Sequence, residues 1–305
     1  MRVLVLGAGG FLGGEVAALL RSMPGVQLLT GGRSADADLT ADLARAEPRV
    51  LADAFASLAP AAVVNCAGAV GGSAGRMAEV NARGPAVLCE ALAVGAPHAR
   101  LVHLGSAAEY GPTPPGEPVA ESAPTTPVAV YGATKLAGTL AVTASGVDAV
   151  VLRVFNPVGP GAPDSSLPGR LAAELGRVRA EGADGTEGTV TTGDLSAYRD
   201  FVDARDVAHA VALAATAPAP LPPVLNIGSG QATSVRELVH QLARAAGFHG
   251  RIEESGAGSD RSAAVSWQCA DPSAAQAALG WRPQHTLAES LADLWASQAP
   301  AGARP

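Results

Sequence analysis

Two residues in the middle of the chain are of the types that move a proton to or from an oxygen atom. Tyr131 and Lys135 lie four positions apart in the segment YGATK, so on a helix their side chains share one face, one turn apart. A nearby lysine charge favours the phenolate and brings a phenol that titrates near pH ~10 closer to acid–base work at neutrality. The alternative interpretation is a solvated tyrosine–lysine pair on a helix.

Ser106 favours the chemical interpretation. It follows an apolar run at residues 101–104 that predicts a buried strand, and open α/β sheets bind their ligands at the carboxyl ends of such strands. A serine that donates a hydrogen bond to a carbonyl oxygen, a tyrosine that donates a proton and a lysine that tunes the tyrosine form a ketone-reduction site. We therefore predict that Ser106, Tyr131 and Lys135 are catalytic.

The first fourteen residues, MRVLVLGAGGFLGG, predict a strand, a glycine turn and a helix. Gly7, Gly10 and Gly13 have the spacing Gly-x-x-Gly-x-x-Gly, which differs from the commoner G-x-G-x-x-G. Gly7 permits a tight turn, Gly10 lets the backbone approach a phosphate, and Gly13 lets helix and strand pack closely. A flexible loop is the alternative, but the flanking strand and helix favour a dinucleotide diphosphate at the N-terminus of the helix.

The elements that must position these residues alternate along the first half of the chain. Almost wholly apolar strands are predicted at residues 2–6, 26–30, 61–65, 101–104 and 149–154, and helices at 49–58, 77–94, 130–143 and from residue 11. Such alternation is typical of a doubly wound parallel sheet buried on both faces. The predicted fold class is therefore α/β, Rossmann-like, with a smaller C-terminal α/β substrate domain.

The sequence changes character after Asn156. The segment FNPVGPGAPDSSLPG is rich in proline and glycine, so we expect no regular element in it. Further on, Ser234 and Glu237 have the spacing of a capping box at the start of a helix. We predict a dinucleotide-binding domain at residues 1–155, to which residues 195–228 return, and a substrate-binding domain at 156–194 and 229–305.

Composition and charge exclude several classes of protein. Apolar residues make up 48 % of the 305 residues and charged residues 16 %, which indicates a globular chain. A net charge of −7 argues against a nucleic-acid-binding surface. No run approaches the roughly 18 apolar residues of a membrane span, and no secretory signal is recognisable. The three cysteines resemble buried thiols of a reducing compartment, so we expect a cytoplasmic protein.

The histidines do not suggest a metal site. His103 alternates with apolar neighbours in a predicted strand and is expected in the core, and the other five histidines lack metal-ligand spacing. We predict no metal.

Seven motifs follow one another along the chain: GAGGFLG, NCAG, LGSAAEYG, YGATK, FNPVGPG, RDFVDARDVA and NIGSG. In this order they resemble the motifs of the extended short-chain dehydrogenases/reductases, and the resemblance covers nearly the whole chain. The resemblance implies that Ser106 polarises a carbonyl, that Tyr131 is the acid or base, and that Lys135 holds the nicotinamide ribose and tunes the tyrosine.

The same resemblance implies further contacts with a nicotinamide dinucleotide. Asn81 matches a structural asparagine near the active site, Asn156 lies near the substrate phosphates, and the backbone of Val158 faces the nicotinamide. The complete set of predicted cofactor-binding residues is Gly7, Gly10, Phe11, Leu12, Gly13, Arg33, Ser34, Asp38, Leu39, Cys66, Ala67, Gly68, Asn81, Tyr131, Lys135, Asn156 and Val158.

The residues after the second strand favour NADPH over NAD. NAD-binding chains carry an acid about 20 residues after the glycine turn, where it bonds the ribose 2′-hydroxyl. Here the sequence is Thr-Gly-Gly-Arg33-Ser34, and an arginine suits a 2′-phosphate because it can donate two parallel hydrogen bonds. Asp38, followed by Leu39, resembles the aspartate with which the family contacts adenine; a simple turn residue is the alternative.

The predicted substrate-binding residues are Ser106, Ala107, Asn156, Arg199 and Arg261. By resemblance, Arg199 in RDFVDARDVA matches an arginine that grips the diphosphate of nucleotide sugars, and Arg261 precedes Asp271 at the spacing of a second one. Relatives have Arg-Pro-Gly-Asp where this chain has Arg-Ser-Ala-Ala, so an ordinary surface arginine remains the alternative at position 261.

The segment GSAAEYG limits the classes of reaction that this site can catalyse. Nucleotide-sugar 4,6-dehydratases have Thr-Asp-Glu where this chain has Ser106, Ala107 and Ala108, so elimination of water lacks its acid and base. The segment is similar to GSSEEYG of GDP-4-keto-6-deoxymannose reductases. For Glu109 we expect a structural role.

We therefore predict an NADPH-dependent reductase of a nucleotide-activated 4-keto-6-deoxyhexose. The alternatives are a nucleotide-sugar 4-epimerase with bound NAD, a ketoreductase of another small molecule, and a cofactor-sensing protein, which would not need an acid–base pair. The resemblance also implies a homodimer formed through the helices predicted at residues 77–94 and 130–143.

Overall fold

A seven-stranded parallel sheet forms the centre of the computed structural model, which describes residues 1–181, 188–255 and 265–298. With strands numbered in chain order, the sheet has the order β11-β6-β5-β4-β1-β2-β3. These strands are β1 (Arg2–Leu6), β2 (Gln27–Gly32), β3 (Leu39–Thr40), β4 (Ala62–Asn65), β5 (Arg100–Ser106), β6 (Ala149–Val154) and β11 (Val224–Ile227). The predicted Rossmann-like fold is confirmed. The strand order reverses between β1 and β4, and such a reversal opens a ligand crevice at the carboxyl ends of the strands.

Helices cover both faces of this sheet. The helices are α1 (Phe11–Ser22), α2 (Pro48–Leu58), α3 (Ala74–Ala78), α4 (Gly84–Gly95), α5 (Val130–Thr143), α6 (Leu167–Glu181), α7 (Ala204–Thr216), α8 (Val235–Ala245), α9 (Ser273–Leu279) and α10 (Leu287–Gln298). Along β1, Val3 and Val5 pack with α1 and α7, whereas Leu4 and Leu6 pack with α2 and α4. Because both faces of the sheet are buried, consecutive residues of the strand are all apolar, from Val3 to Leu6.

The helix predicted at residues 77–94 is interrupted. A π-helical turn, Glu79–Arg83, separates α3 from α4. The carbonyl of Asn81 would bond the N–H of the residue four positions later in an α-helix, but that residue is Pro85, which has no N–H. The same carbonyl lies against α5, because a Cβ on Gly138 would be 2.1 Å from it. The absent donor and the close packing of α5 account for the π turn.

A second lobe is built from α6, α8, α10 and seven short strands. These strands are β7 (Pro157–Val158), β8 (Thr189–Thr192), β9 (Tyr198–Asp200), β10 (Val202–Asp203), β12 (Ala232–Ser234), β13 (Arg251–Glu254) and β14 (Trp267–Gln268). Its core is separate from the two cores on the faces of the large sheet. The expectation of no regular element after Asn156 is wrong at β7, which pairs in parallel with β10. Two residues are too few to give a periodic signal.

Neither a membrane span nor a metal cluster is found in the described ranges. None of the described helices is long and apolar enough to cross a bilayer. Nor do any three described histidine, cysteine, aspartate or glutamate side chains form a group that could hold a metal ion. The three cysteines are free thiols.

Candidate active site

The glycine turn presents the start of α1 without a side-chain cap. Gly10, the N-cap residue, is extended, with φ −88° and ψ 173°, and no side chain in the described ranges bonds this helix end. The N–H groups of Phe11, Leu12 and Gly13 are the first three of the helix, so they have no intrahelical acceptor. Together with the helix dipole they form a site for a diphosphate.

Two of the glycines are required by the packing of this turn. Gly7 has φ +82°, and a Cβ on it would be 2.9 Å from the backbone nitrogen of Ala67. A Cβ on Gly13 would be 2.0 Å from the carbonyl oxygen of Gly7. A Cβ on Gly10, in contrast, would meet its nearest neighbour at 3.4 Å, and one on Gly9 would meet nothing within 4 Å. The open space before uncapped N–H groups fits the diphosphate of a dinucleotide.

Arg33 and Ser34 follow β2 directly, and both are exposed. Within the described ranges no ion-pair partner is found for Arg33, whereas the hydroxyl of Ser34 accepts a hydrogen bond from the N–H of Asp36 at 3.3 Å. Asp38 accepts from the N–H of Thr30 at 2.8 Å and from its hydroxyl at 3.1 Å, and these bonds lower the pKa of Asp38. The Asp38 carboxylate thus closes the turn that presents Arg33, and the following Leu39 packs against the core.

The segment after β4 lies against the glycine turn through Ala67. Asn65 is fully buried; its Oδ1 accepts from the N–H of Ala67 and its Nδ2 donates to His103 Nδ1, both at 3.1 Å. Burial, and secondarily Lys135, holds the pKa of His103 well below its usual value, and the predicted core position of His103 is confirmed. Burial raises the pKa of the Cys66 thiol to about 12. The exposed Gly68 follows. Cys66 and His103 are therefore neutral neighbours of Lys135.

Asn81 uses its whole amide on protein groups. Its Oδ1 accepts from the N–H of Ala69 at 2.8 Å, and its Nδ2 donates to the carbonyl of Ala69 at 2.8 Å and to Thr134 Oγ1 at 3.1 Å. Thr134 lies on α5 between Tyr131 and Lys135. Asn81 therefore joins the loop after β4 to the helix that carries the predicted catalytic pair.

Ser106 ends β5 and begins a short 3-10 turn, Ala107–Glu109. The Ser106 hydroxyl oxygen accepts a hydrogen bond from the N–H of Ala108 at 3.2 Å, and the Ser106 N–H donates to Glu109 Oε1 at 2.8 Å. These two bonds form a reciprocal capping box. Because the hydroxyl oxygen is already an acceptor, its proton is available to a carbonyl oxygen in the crevice.

Helix α5 contacts the chain on both sides of Ser106. Lys135 Nζ donates to the carbonyl of Leu104, two residues before Ser106. A Cβ on Gly132 would be 2.3 Å from the carbonyl oxygen of Ala108, two residues after it. The structure thus brings Tyr131 and Lys135 to the carboxyl end of β5. Burial lowers the pKa of Lys135, and the negative charge of Glu109 opposes that shift.

Glu109 lies behind this site and is fully buried. Its Oε2 accepts from Arg153 Nε on β6 at 2.8 Å. The sequence indicates a structural role for Glu109 but does not reveal its partner. A signal was present, since an arginine in the apolar run of β6 requires a buried counter-charge.

Asn156, Val158 and Ala107 lie where the sheet meets the second lobe. Asn156 Nδ2 donates to the carbonyl of Asp200 at 2.8 Å. Val158 belongs to the core of the second lobe, against which Phe11 of α1 also packs. Ala107 is buried. Residues assigned to the cofactor thus connect the glycine turn with the second lobe.

Arg199 is buried on β9 rather than extended into solvent. Its guanidinium donates to the carbonyls of Tyr198 at 2.7 Å and Val265 at 2.5 Å, and burial lowers its pKa. Arg261 lies outside the described residues. The neighbouring Asp200, which sequence reasoning missed, is fully buried and accepts from three backbone N–H groups, of Ser229, Gly230 and Ala270.

Comparison with known proteins agrees with the fold and the site. The family model for the NAD dependent epimerase/dehydratase family matches residues 3–228. The chain is 39 % identical over 311 residues to dTDP-6-deoxy-L-talose 4-dehydrogenase (NAD(P)(+)) of Kitasatospora kifunensis, covering 98 % of this chain and 96 % of that protein. It is 34 % identical over 228 residues to UDP-glucose 4-epimerase of Streptomyces lividans, covering 70 % and 67 %. The structure of RMD from Pseudomonas aeruginosa complexed with NADPH superposes with a TM-score of 0.82 at 26 % identity, covering 97 % and 98 %.

The fold and the site therefore define a nicotinamide-dependent enzyme of the oxidoreductase kind. More particularly, the chain belongs to the NAD dependent epimerase/dehydratase family, within the extended short-chain dehydrogenases/reductases. The predicted family is confirmed, and its cofactor is NAD or NADP.

Proposed function

We propose that this protein is an NADPH-dependent ketoreductase that reduces C4 of a nucleotide-activated 4-keto-6-deoxyhexose. The observation that carries the proposal is the turn after β5. Ser106 lies beside α5 with its hydroxyl proton available, while the next two positions, Ala107 and Ala108, hold no acid or base. The site can thus move one proton at a carbonyl oxygen but lacks the groups for eliminating water.

Each catalytic side chain has one task in this reaction. When bound, the nicotinamide supplies a hydride to C4. The Ser106 hydroxyl donates a hydrogen bond to the C4 oxygen and so stabilises the negative charge that develops there. Tyr131 donates the proton that turns this oxygen into a hydroxyl. Lys135 is bonded to the carbonyl of Leu104 and places a positive charge beside Tyr131, which favours the resulting phenolate.

The Kitasatospora relative supports a reaction at C4. Its name describes a 4-dehydrogenase acting on a dTDP-linked 6-deoxyhexose, and dehydrogenation of an alcohol and reduction of the ketone are the two directions of one hydride transfer. Its similarity extends over 98 % of this chain, so it includes both the sheet and the second lobe.

NADPH is favoured by Arg33 and Ser34. Both follow β2 and are exposed, and Asp38 is engaged with Thr30 rather than positioned to repel a phosphate. An arginine and a hydroxyl can bind a 2′-phosphate, whereas neither of the two residues directly after β2 is an acid that could accept from a ribose 2′-hydroxyl.

On the substrate side we propose that Arg199, Asn156 and Arg261 face the diphosphate. Arg199 is buried and permanently charged, and Asn156 is tied to the strand that carries Arg199 through the carbonyl of Asp200. An arginine can donate two parallel hydrogen bonds, which suits the oxygens of a diphosphate.

To test this function, purified protein is assayed with a panel of nucleotide-activated 4-keto-6-deoxyhexoses in the presence of NADPH or NADH. We expect consumption of NADPH, one new C4 hydroxyl in the product by NMR, and no turnover of free 4-keto sugars. Turnover of free sugars at the same kcat/KM would instead support the ketoreductase of another small molecule.

A 4-epimerase with bound NAD is the second candidate, because the Streptomyces relative at 34 % identity is named a 4-epimerase. It predicts that the purified protein carries NAD and interconverts C4 epimers without added reductant. Mass spectrometry of the denatured protein for bound nucleotide distinguishes the two candidates.

We also propose that the protein forms a homodimer through α4 and α5. Each helix leaves a large aliphatic side chain in solvent, Val94 with 77 % exposure and Leu140 with 58 %. Light scattering after size exclusion should show a dimer for the wild type and a monomer for Leu140→Glu. As the control, Val50→Glu changes a valine on α2 that is 68 % exposed and should leave the dimer intact.

A further inference from the structure

The segment from Leu104 to Ser106 forms hydrogen bonds with two side chains of opposite charge. Lys135 Nζ donates to the carbonyl of Leu104, and Glu109 Oε1 accepts from the N–H of Ser106 at 2.8 Å. Gly105 lies between them, and a Cβ there would be 2.8 Å from Glu109 Oε1. The carboxylate thus packs directly on the strand end that presents Ser106.

The second oxygen of Glu109 is engaged by Arg153. Arg153 Nε donates to Oε2 at 2.8 Å, and the guanidinium carbon lies 4.6 Å from the centre of the Tyr110 ring. Burial alone would lower the pKa of Arg153, but the interactions with Glu109 and Tyr110 outweigh it, so the pKa is raised. Tyr110 in turn donates to Asn226 Oδ1 on β11 at 2.7 Å. The counter-ion of Glu109 is therefore held in place, because Arg153 contacts both Glu109 and the Tyr110 ring.

The titratable groups around Lys135 come from several elements. Cys66 follows β4, His103 is on β5, Tyr131 is on α5 itself, and Glu109 is in the turn. Cys66 and His103 are neutral for the reasons given above. At neutral pH, Glu109 is therefore the anionic group that acts on Lys135 within the described part of the chain, and Arg153 limits its effect.

We propose that Glu109 is a positioning residue for the reaction proposed above: its carboxylate holds the Ser106 end of β5 and supplies the negative charge that faces Lys135. It touches neither substrate nor cofactor in this role. It acts through Ser106 and Lys135. The positive charge of Arg153 partly offsets the electrostatic effect of Glu109 on Lys135 and Tyr131.

Two variants separate the charge from the structure. Glu109→Gln and Arg153→Gln break the same ion pair, so loss of structure alone affects both in the same sense. Their electrostatic effects are opposite. Removing the negative charge should let the Tyr131–Lys135 pair lose its first proton at lower pH, and removing the positive charge should delay that loss to higher pH, each by about one pH unit.

The pH dependence of the reduction measures this shift, because the reaction needs protonated Tyr131. The alkaline limb of kcat/KM should move to lower pH in Glu109→Gln and to higher pH in Arg153→Gln. Glu289→Gln is the matched control. Glu289 forms the same reciprocal capping box with Thr286, but it is exposed and at the start of α10, so the limb should not move.

A titration without substrate keeps this test independent of the proposed function. The chain has three tyrosines, so 13C labelling of the tyrosine ring gives few signals, and Tyr131→Phe assigns the relevant one. Opposite displacements of the Tyr131 titration in the two variants support the proposal even if no nucleotide sugar is reduced. Displacements of the same sign, or none in folded variants, overturn it, and if Glu109→Gln does not fold, Arg153→Gln alone decides.

Discussion

The two halves of the molecule supply site groups of different kinds. In the half built on the large sheet, the groups proposed for the cofactor are mostly ends of secondary structure, such as the uncapped N–H groups of Phe11 and Leu12 at the start of α1. In the second lobe the proposed groups are side chains, of which Arg199 is buried and bonded to backbone carbonyls. The first kind of site depends on the absence of Cβ atoms, and the second on single charged groups.

The residues proposed to be catalytic combine features of both kinds of site. They are side chains, but Ser106 and Tyr131 are placed by backbone contacts, through the N–H of Ala108 and through Gly132. Conservative substitution of Ser106 or Tyr131 should therefore affect the chemical step and leave the fold intact.

Tyr131→Phe should give the largest effect. Loss of the proton donor is expected to lower kcat by about 10²- to 10⁴-fold, while the dissociation constant of NADPH stays within about twofold because the ring remains. Tyr198→Phe is the control, since Tyr198 is exposed on β9. Unchanged turnover in Tyr131→Phe would show that the catalytic assignment is wrong.

Arg33→Ala tests a charged side chain that we propose binds the cofactor in the sheet half. Losing charge-assisted hydrogen bonds to a 2′-phosphate should lower kcat/KM for NADPH by about 10- to 100-fold, with little change for NADH. Arg21→Ala, an exposed arginine in the last turn of α1, is the matched control. An equal loss with both cofactors would contradict the 2′-phosphate assignment.

Gly13→Ala tests a group that acts through the absence of a Cβ. The added Cβ would lie 2.0 Å from the Gly7 carbonyl, so we expect a loss of stability of about 1–3 kcal/mol and at least about tenfold weaker NADPH binding. Gly14→Ala, at the next position of the same helix, meets its nearest neighbour at 3.7 Å and should be neutral or stabilising. Thermal melts and NADPH titration compare the two, and equal behaviour would refute the packing argument.

The sheet half could be predicted from the sequence because its strands are continuous apolar runs. The predicted bounds of β1, β6 and α5 agree with the structure. The end of β2 was placed two residues early, because Gly31 and Gly32 extend the strand without any apolar signal. The short strands of the second lobe could not be predicted, since they have two or three residues and pair only with distant segments. The helix start at Ser234 was predicted and is observed.

The capping boxes show why part of the site was not predictable. Ser234 accepts from the N–H of Glu237 at 3.1 Å, but the Glu237 carboxylate accepts from Gln241 and Arg244 instead of returning to the Ser234 N–H. Ser106 and Glu109 form a complete box, as do Thr286 and Glu289. The competing or supporting partners of each glutamate, such as Arg153 at Glu109, are distant in sequence or on the next turn, so the local spacing could not show which box closes.

Arg199→Lys should give a smaller effect, and it tests the second lobe. Lysine keeps the charge but loses the planar set of donors, so we expect the KM for a nucleotide sugar to rise about tenfold, with kcat within about threefold and NADPH binding unchanged. Arg251→Lys changes an exposed arginine on β13 and should leave KM unaltered. An unchanged KM in a folded Arg199→Lys protein would mean that this guanidinium does not bind the diphosphate and has a structural role, which includes its hydrogen bonds to the carbonyls of Tyr198 and Val265. The proposal that the second lobe binds a diphosphate would then lose its support from Arg199, and reduction of a substrate without a nucleotide would become the better proposal.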